Sequence, residues 1–180
     1  MEILSLPEKI GQILDIVTIP ERSSVLDLGT GTGVLLPHIV RRIGSEGHVT
    51  AVDLSDGMLA FAIKKCKNLL PPVKFIKADF ETDEIPGLFD RIFLYCVYPH
   101  LEKPVATLKH LVDNNLSPNG KIVVAFPCDE KFINHVHNEK KPDSDKLLPA
   151  PVLSEELRRQ GLKANVRCYS EEMYIIEITK

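Results

Sequence analysis

The stretch Ser23 to Gly33, SSVLDLGTGTG, closes an apolar run on Asp27 and then sets Gly29, Gly31 and Gly33 at alternate positions. Glycines so spaced let a loop backbone come close to a bound ligand. The neighbouring carboxylate decides what kind of ligand. At the tip of a strand it repels a pyrophosphate and attracts an ammonium or a sulfonium. At an effective dielectric of ~20, a contact at ~4 Å is on the order of 4 kcal/mol before desolvation. The spacing agrees, because Val34 stands where the dinucleotide fingerprint GxGxxG needs its third glycine, and no lysine follows as in a GxxxxGK phosphate loop. A cationic, nucleotide-like ligand is therefore expected in place of a dinucleotide.

Positioning such a loop takes a strand before it and a helix after it. SVLDL (24–28) is a compact buried-strand pattern, and Leu35, Leu36, Ile39, Val40 and Ile43 recur on one helical face up to Gly44. The unit repeats. HVTAVDL (48–54) reads as a second strand, and Ser55 caps a helix with Met58, Leu59, Ala62, Ile63, Cys66 and Leu69 on its apolar face, ended by Pro71 and Pro72. VKFIKADF (73–80) reads as a third strand, ETDEIPGLFD as a loop, and RIFLYCVY (91–98) as a fourth strand covered on both faces. Pro104 fits the first turn of a helix bearing Leu108, Leu111 and Val112, SPNG (117–120) reads as a turn, and KIVVAF (121–126) as the fifth strand.

The flanks complete the layout. A leading helix within 1–22 has Ser5 and Glu8 as a capping box, with Ile10, Ile13, Leu14 and Val17 at helical spacing until Pro20. Residues 127–153 are polar and proline-bearing, with one short helical pattern around Phe132 to Val136, and read as a lid insertion. Ser154, with Glu155 and Glu156, is expected to start a last helix ending at Gly161. KANVRCY (163–169) and MYIIEIT (173–179) are joined by a link that permits a hairpin and no parallel crossover. The expected fold is α/β, a doubly wound and mostly parallel sheet with helices on both faces and a terminal antiparallel pair. Ligands of such sheets sit outside the carboxyl ends of the strands, where the winding reverses beside the first one.

Composition bounds the function. A chain of 180 residues, 44% hydrophobic and 26% charged, suits a single domain, 1–180, with its own core. A formal net charge of −3 and thinly spread basic residues leave no stripe for a phosphate backbone, so nucleic acid is not the expected partner. No signal-peptide pattern and no membrane-length segment occur. Cys66, Cys96, Cys128 and Cys168 form no CxxC pair and read as reduced thiols of a cytoplasmic protein. Asp90, at the end of the fourth strand away from the ligand, reads as structural.

VLDLGTGTG, followed by AVDLSDGML and FIKADF, resembles class I S-adenosylmethionine (SAM)-dependent methyltransferases over essentially the whole chain. The resemblance implies a Rossmann-like, seven-stranded sheet with a reversed last strand, and SAM as cofactor with S-adenosylhomocysteine (SAH) as product. Asp27 and the Gly29, Thr30, Gly31, Thr32, Gly33 loop would then hold the methionine part. Asp53 would accept from both ribose hydroxyls, with Leu54 and Met58 beside the adenine. Asp79 would accept from the adenine amino group and the Phe80 backbone would donate to the ring. Carboxylates, which only accept, suit both tasks.

The acceptor is expected beyond the fourth strand, where CVYPHLEKP (96–104) carries Tyr98 and His100. The Asn/Asp-Pro-Pro-aromatic motif common among nitrogen-directed DNA and protein methyltransferases is absent. VYPHL instead resembles a group of small bacterial and archaeal methyltransferases. FINHVHN adds His135 and His137. The histidines could act as a base, bind an anionic acceptor or ligate a metal, but His135 and His137 converge only if their segment is extended. Methyl transfer needs no obligatory base, so a missing catalytic triad is no objection. A base or substrate-orienting role is preferred, with solvated or structural histidines next and a metal last, so no metal is assigned and Tyr98, His100, His135 and His137 stand as catalytic candidates. The leading reading is a methyltransferase acting on a small-molecule substrate. The alternatives are a SAM-binding module without turnover and an RNA methyltransferase working with a partner subunit; self-association as a homo-oligomer stays open.

Overall fold

The computed structural model describes residues 6–140 and 146–180, with side chains for all of these except 137–140. Seven strands form one sheet: β1 (Ser24–Leu28), β2 (His48–Asp53), β3 (Val73–Lys77), β4 (Phe89–Tyr95), β5 (Leu116–Phe126), β6 (Lys163–Ser170) and β7 (Met173–Thr179). Their order is β3-β2-β1-β4-β5-β7-β6. The first five pair in parallel, and β7 runs antiparallel between β5 and β6. This is the expected doubly wound sheet with a reversed last strand, and β6–β7 is the expected hairpin. The winding reverses between β1 and β4, so the carboxyl end of β1 opens onto a crevice. Among the described residues no helix is long and apolar enough to cross a membrane.

Side-chain alternation divides the core. Val25, Phe93, Val123 and Ile175 face a layer built by α1 (Pro7–Val17) and α2 (Leu36–Ile43), through Ile10, Ile13, Leu36 and Ile39. Leu26, Ile92, Val124 and Ile176 face the opposite layer of α4 (Pro104–Asn114) and α6 (Ala150–Arg159), through Leu108, Leu111, Leu153 and Leu157. Strand residues one apart point to opposite faces, which is why nearly unbroken apolar runs were needed. Each such Leu or Ile contributes about 1.5–3 kcal/mol on burial, and the central strands are held accordingly. α3 (Asp56–Cys66) completes the set beside β2 and β3, with Ser55 Oγ accepting from Met58 N as the expected cap.

Several boundaries differ from expectation for physical reasons. Ser5 of the capping box lies outside the described residues, and α1 begins at Pro7 after Leu6. β3 ends at Lys77, so Asp79 and Phe80 lie in the loop beyond it. β4 runs over Phe89–Tyr95 instead of 91–98, because Cys96 takes φ +58 and Tyr98–His100 winds into a 3-10 turn around Pro99, which has no N–H for a ladder. SPNG is not a turn ahead of β5, which already begins at Leu116. Leu116 pairs with Phe89, and the register then shifts before Lys121 meets Arg91, so the turn residues sit within the strand.

The 127–153 stretch is more helical than expected, with α5 over Glu130–Lys140 and the first turn of α6 from Ala150. α6 starts at Ala150 because Pro149 and Pro151 suit a first turn. Ser154 is not its cap: it is fully buried and its hydroxyl donates to the Ala164 carbonyl at 3.0 Å. Gly161 follows the helix at φ +89, as a terminating glycine should. Asp90 is structural as expected: its two oxygens accept from Ser24 N at 2.9 Å and Ser117 Oγ at 2.8 Å, tying β1 and β5 to β4.

Candidate active site

At the crevice lies a cavity of about 790 Å³ walled by the loops after β1, β2, β3 and β4. Asp27 sits in its floor, opposite Ala51 of β2 and Phe93 of β4. The residue is 2% exposed, and its Oδ2 accepts from the Thr30 hydroxyl at 2.6 Å. Burial pushes the Asp27 carboxyl up to about 7; the Thr30 hydroxyl pulls it down and the charge of Asp53 raises it further.

The glycine loop is held against the end of the neighbouring strand β2 and closed on itself. Thr30 N donates to Val52 O at 2.9 Å, Gly31 N to Asp53 Oδ2 at 2.8 Å, and Gly33 N to Thr30 O at 2.9 Å. Three amides that a phosphate-binding loop would aim at its anion are thus already satisfied. Gly29 has φ +66, and a Cβ there would lie 2.6 Å from Val97 Cγ2, so the β4 loop closes directly on the glycine loop. Gly33 serves packing: its φ is +71 and a Cβ would crowd Ala62 at 3.2 Å.

Asp53 does two jobs. Oδ2 accepts from Gly31 N and Oδ1 from Ser55 N at 2.9 Å, which fixes the carboxylate at the end of β2. A carboxylate has about four lone-pair sites, so each oxygen retains capacity for a further donor such as a hydroxyl. Beside it, Leu54 and Met58 are 64% and 45% exposed on the cavity wall, apolar surface that a flat ring would remove from water. Asp79 and Phe80 form the next wall, where Asp79 Oδ1 accepts from Glu81 N at 3.1 Å.

The structure gathers Asp27, the 29–32 loop, Asp53, Leu54, Met58, Asp79, Phe80 and His100 around this one cavity. Of the acceptor-side candidates, His100 lines it and is exposed. Tyr98 does not: the 3-10 turn puts its ring in the core, and burial together with the charge of Glu156 pushes its phenol up to about 12. His135 lies on α5, away from the cavity lining, and the side chain of His137 is outside the described residues. Both positions fall within a helix, so the extended segment on which their convergence depended is not formed. No described residue of 127–153 lines the cavity. Asn134 instead exchanges two hydrogen bonds with Leu147, which ties α5 to the segment before α6. Among the described residues no cluster of His, Cys, Asp or Glu is placed to hold a metal.

Sequence reading missed Cys96, Val97, Leu101, Glu81 and Glu102 as wall residues. Cys96 and Val97 directly follow the apolar run of β4, which was the available signal. Glu81 had none, standing in an acidic run without periodicity.

Sheet order, reversed β7 and a carboxylate at each of the first three strand ends define a class I SAM-dependent methyltransferase domain. Residues 20–170 match the family described as Methyltransferase domain, and the chain belongs to that family. It is 29% identical over 118 residues to (S)-coclaurine N-methyltransferase of Thalictrum flavum subsp. glaucum, covering 65% of this chain and 32% of that protein. It is 30% identical over 105 residues to the ubiquinone/menaquinone biosynthesis C-methyltransferase UbiE of Idiomarina loihiensis, covering 56% and 41%. The chain therefore spans less than half the length of these curated relatives. A solved SAM-dependent methyltransferase from Aquifex aeolicus has the same fold, with a TM-score of 0.75 over 97% of this chain and 94% of that one at 21% identity.

Proposed function

We propose that the cavity binds SAM and that the chain transfers a methyl group to a small-molecule acceptor held beside His100. The single observation carrying this reading is the glycine loop above the buried Asp27: three of its amides, those of Thr30, Gly31 and Gly33, already have acceptors, so the site suits a cation better than a pyrophosphate. When bound, SAM supplies an activated methyl group on a positively charged sulfur. Asp53 accepts from two vicinal hydroxyls with its spare lone pairs while keeping its bonds to Gly31 and Ser55. Leu54 and Met58 cover the purine face, Asp79 accepts from the exocyclic amine and the Phe80 N–H donates to the ring. Asp27 faces the cationic end.

Methyl transfer is an in-line displacement, so the walls contribute alignment and exclusion of water. His100, the exposed titratable side chain after β4, orients the acceptor or takes its proton. Four unpaired cysteines suit a reducing, cytoplasmic setting. Calorimetric titration with SAM, SAH and NADH tests the reading. The first two should bind and the third should not; NADH binding in the absence of SAM binding would overturn it. Incubation with methyl-labelled SAM and a metabolite extract then identifies the acceptor by its label.

A further inference from the structure

β3 and β4 stand three places apart in the sheet, about 14 Å at ordinary strand spacing. Among the described residues no ladder hydrogen bond joins the loops that leave their carboxyl ends. A side chain does. Glu81, four residues beyond β3, accepts through Oε2 from Glu102 N at 2.8 Å and through Oε1 from Lys103 N at 3.0 Å. The Thr107 hydroxyl lies 2.9 Å from the same Oε1. These three groups belong to the N-terminal end of α4, whose own N-cap residue, Lys103, offers no side-chain cap. A carboxylate brought from more than twenty residues away thus caps the helix, on the side where the helix dipole favours negative charge.

The attachment at the other end is equally specific. Glu81 N donates to Asp79 Oδ1, and the turn is closed by Thr82 N and Asp83 N on the Asp79 carbonyl at 3.0 and 2.7 Å. Asp79, Glu81 and Glu102 all face the cavity, and His100 lies two residues before Glu102. A continuous run of hydrogen bonds therefore leads from the wall assigned to the nucleoside to the wall assigned to the acceptor.

We propose that Glu81 is a positioning residue, a strap that holds the His100–Glu102 loop against the Asp79–Phe80 wall so that a nucleoside seated on Asp79 also sets the acceptor side. The inference rests on the SAM reading of the cavity for its ligand, and on the three bonds of Glu81 for its geometry. Seating a donor on Asp79 restrains the carboxylate that holds Glu81 N, and Glu81 passes that restraint to the two amides it accepts from. The acceptor wall, already tied by Glu81 in the ligand-free chain, is then held more firmly in the cofactor-loaded one, which suits a reaction whose donor must be in place first.

Residue-resolved amide hydrogen exchange on the full chain, with SAH as the probe, tests this. In Glu81→Ala, exchange at Glu102 and Lys103 should quicken about tenfold, the loss of one cap, while Leu108 and Leu111 within α4 keep their rates. Glu81→Gln should free Glu102 alone, because an amide keeps one accepting oxygen for Lys103 and turns a donor toward the other N–H. SAH should slow both amides in the wild type and neither in Glu81→Ala, although it still binds. Uniform quickening throughout α4, or equal protection by SAH in wild type and Glu81→Ala, overturns the strap. Failure of SAH to bind the wild type overturns the cofactor reading and the coupling with it, and the ligand-free rates of the two variants then still decide whether Glu81 holds the loop.

Discussion

Replacing Asp27 by asparagine should change how stability and ligand affinity depend on pH, and in opposite directions. The carboxyl is raised from its ordinary 3.8 to about 7, chiefly by burial. Between those two values the folded chain holds a proton that the unfolded chain has released, so stability falls as pH rises through the window and levels off above 7. About three pH units at ~1.4 kcal/mol each amount to on the order of 4 kcal/mol. Asparagine keeps an oxygen for the Thr30 hydroxyl but cannot ionise, so it should match the wild type at pH 4 and exceed it by several kcal/mol at pH 8. SAM titrations should run the other way. Binding a cation to the ionised carboxylate requires the proton to leave below pH 7, so wild-type affinity should rise by up to about tenfold per pH unit from 5 to 7. In Asp27→Asn it should be weaker at pH 8 and flat across the window. Urea denaturation of both proteins at four pH values, paired with calorimetry, gives both slopes. Parallel stability curves for the two proteins would refute the assignment of the buried proton to Asp27.

Gly29→Ala should lower the denaturation midpoint by the equivalent of about 1–3 kcal/mol, since it needs a strained φ and presses on Val97; adding Val97→Ala should return part of the loss, read by urea denaturation. Asp53→Ala should weaken SAM at least about tenfold by calorimetry, because both the hydroxyl acceptor and the clamp on Gly31 go, and unchanged affinity would exclude the ribose role. His100→Ala should reduce label transfer from SAM in metabolite extract while leaving SAH affinity unaltered, and full retained transfer would remove His100 from the chemistry.

The sheet was legible because its strands announce themselves locally. SVLDL, HVTAVD and RIFLY are apolar on both faces, and the hairpin link of β6 and β7 excludes a crossover. The rim aspartates were legible for the same reason, Asp27 near the end of β1, Asp53 ending β2 and Asp79 two residues past β3. What escaped is nonlocal. Asp53 holding Gly31 N and Glu81 capping α4 join residues more than twenty apart, and no spacing rule reports such pairs. Tyr98 and His100 looked alike as candidates until the turn at Pro99 sent one inward and the other outward. SPNG carries turn residues, but pairing with Phe89 overrode that local preference.

The position of β7 bears on how the chain is made. Its seven residues occupy an interior place in the sheet although they are synthesised after the other six strands. Until they leave the ribosome, β5 presents an open edge with main-chain groups of Lys121–Phe126 unpaired, the kind of edge that pairs with foreign strands. Insertion brings Glu177 onto Lys121 at 2.9 Å, a charge pair whose mismatch would penalise a slipped register. Translation that stalls before residue 173 should therefore leave a sticky intermediate for chaperones, and completion of the final hairpin is the event that makes the domain safe.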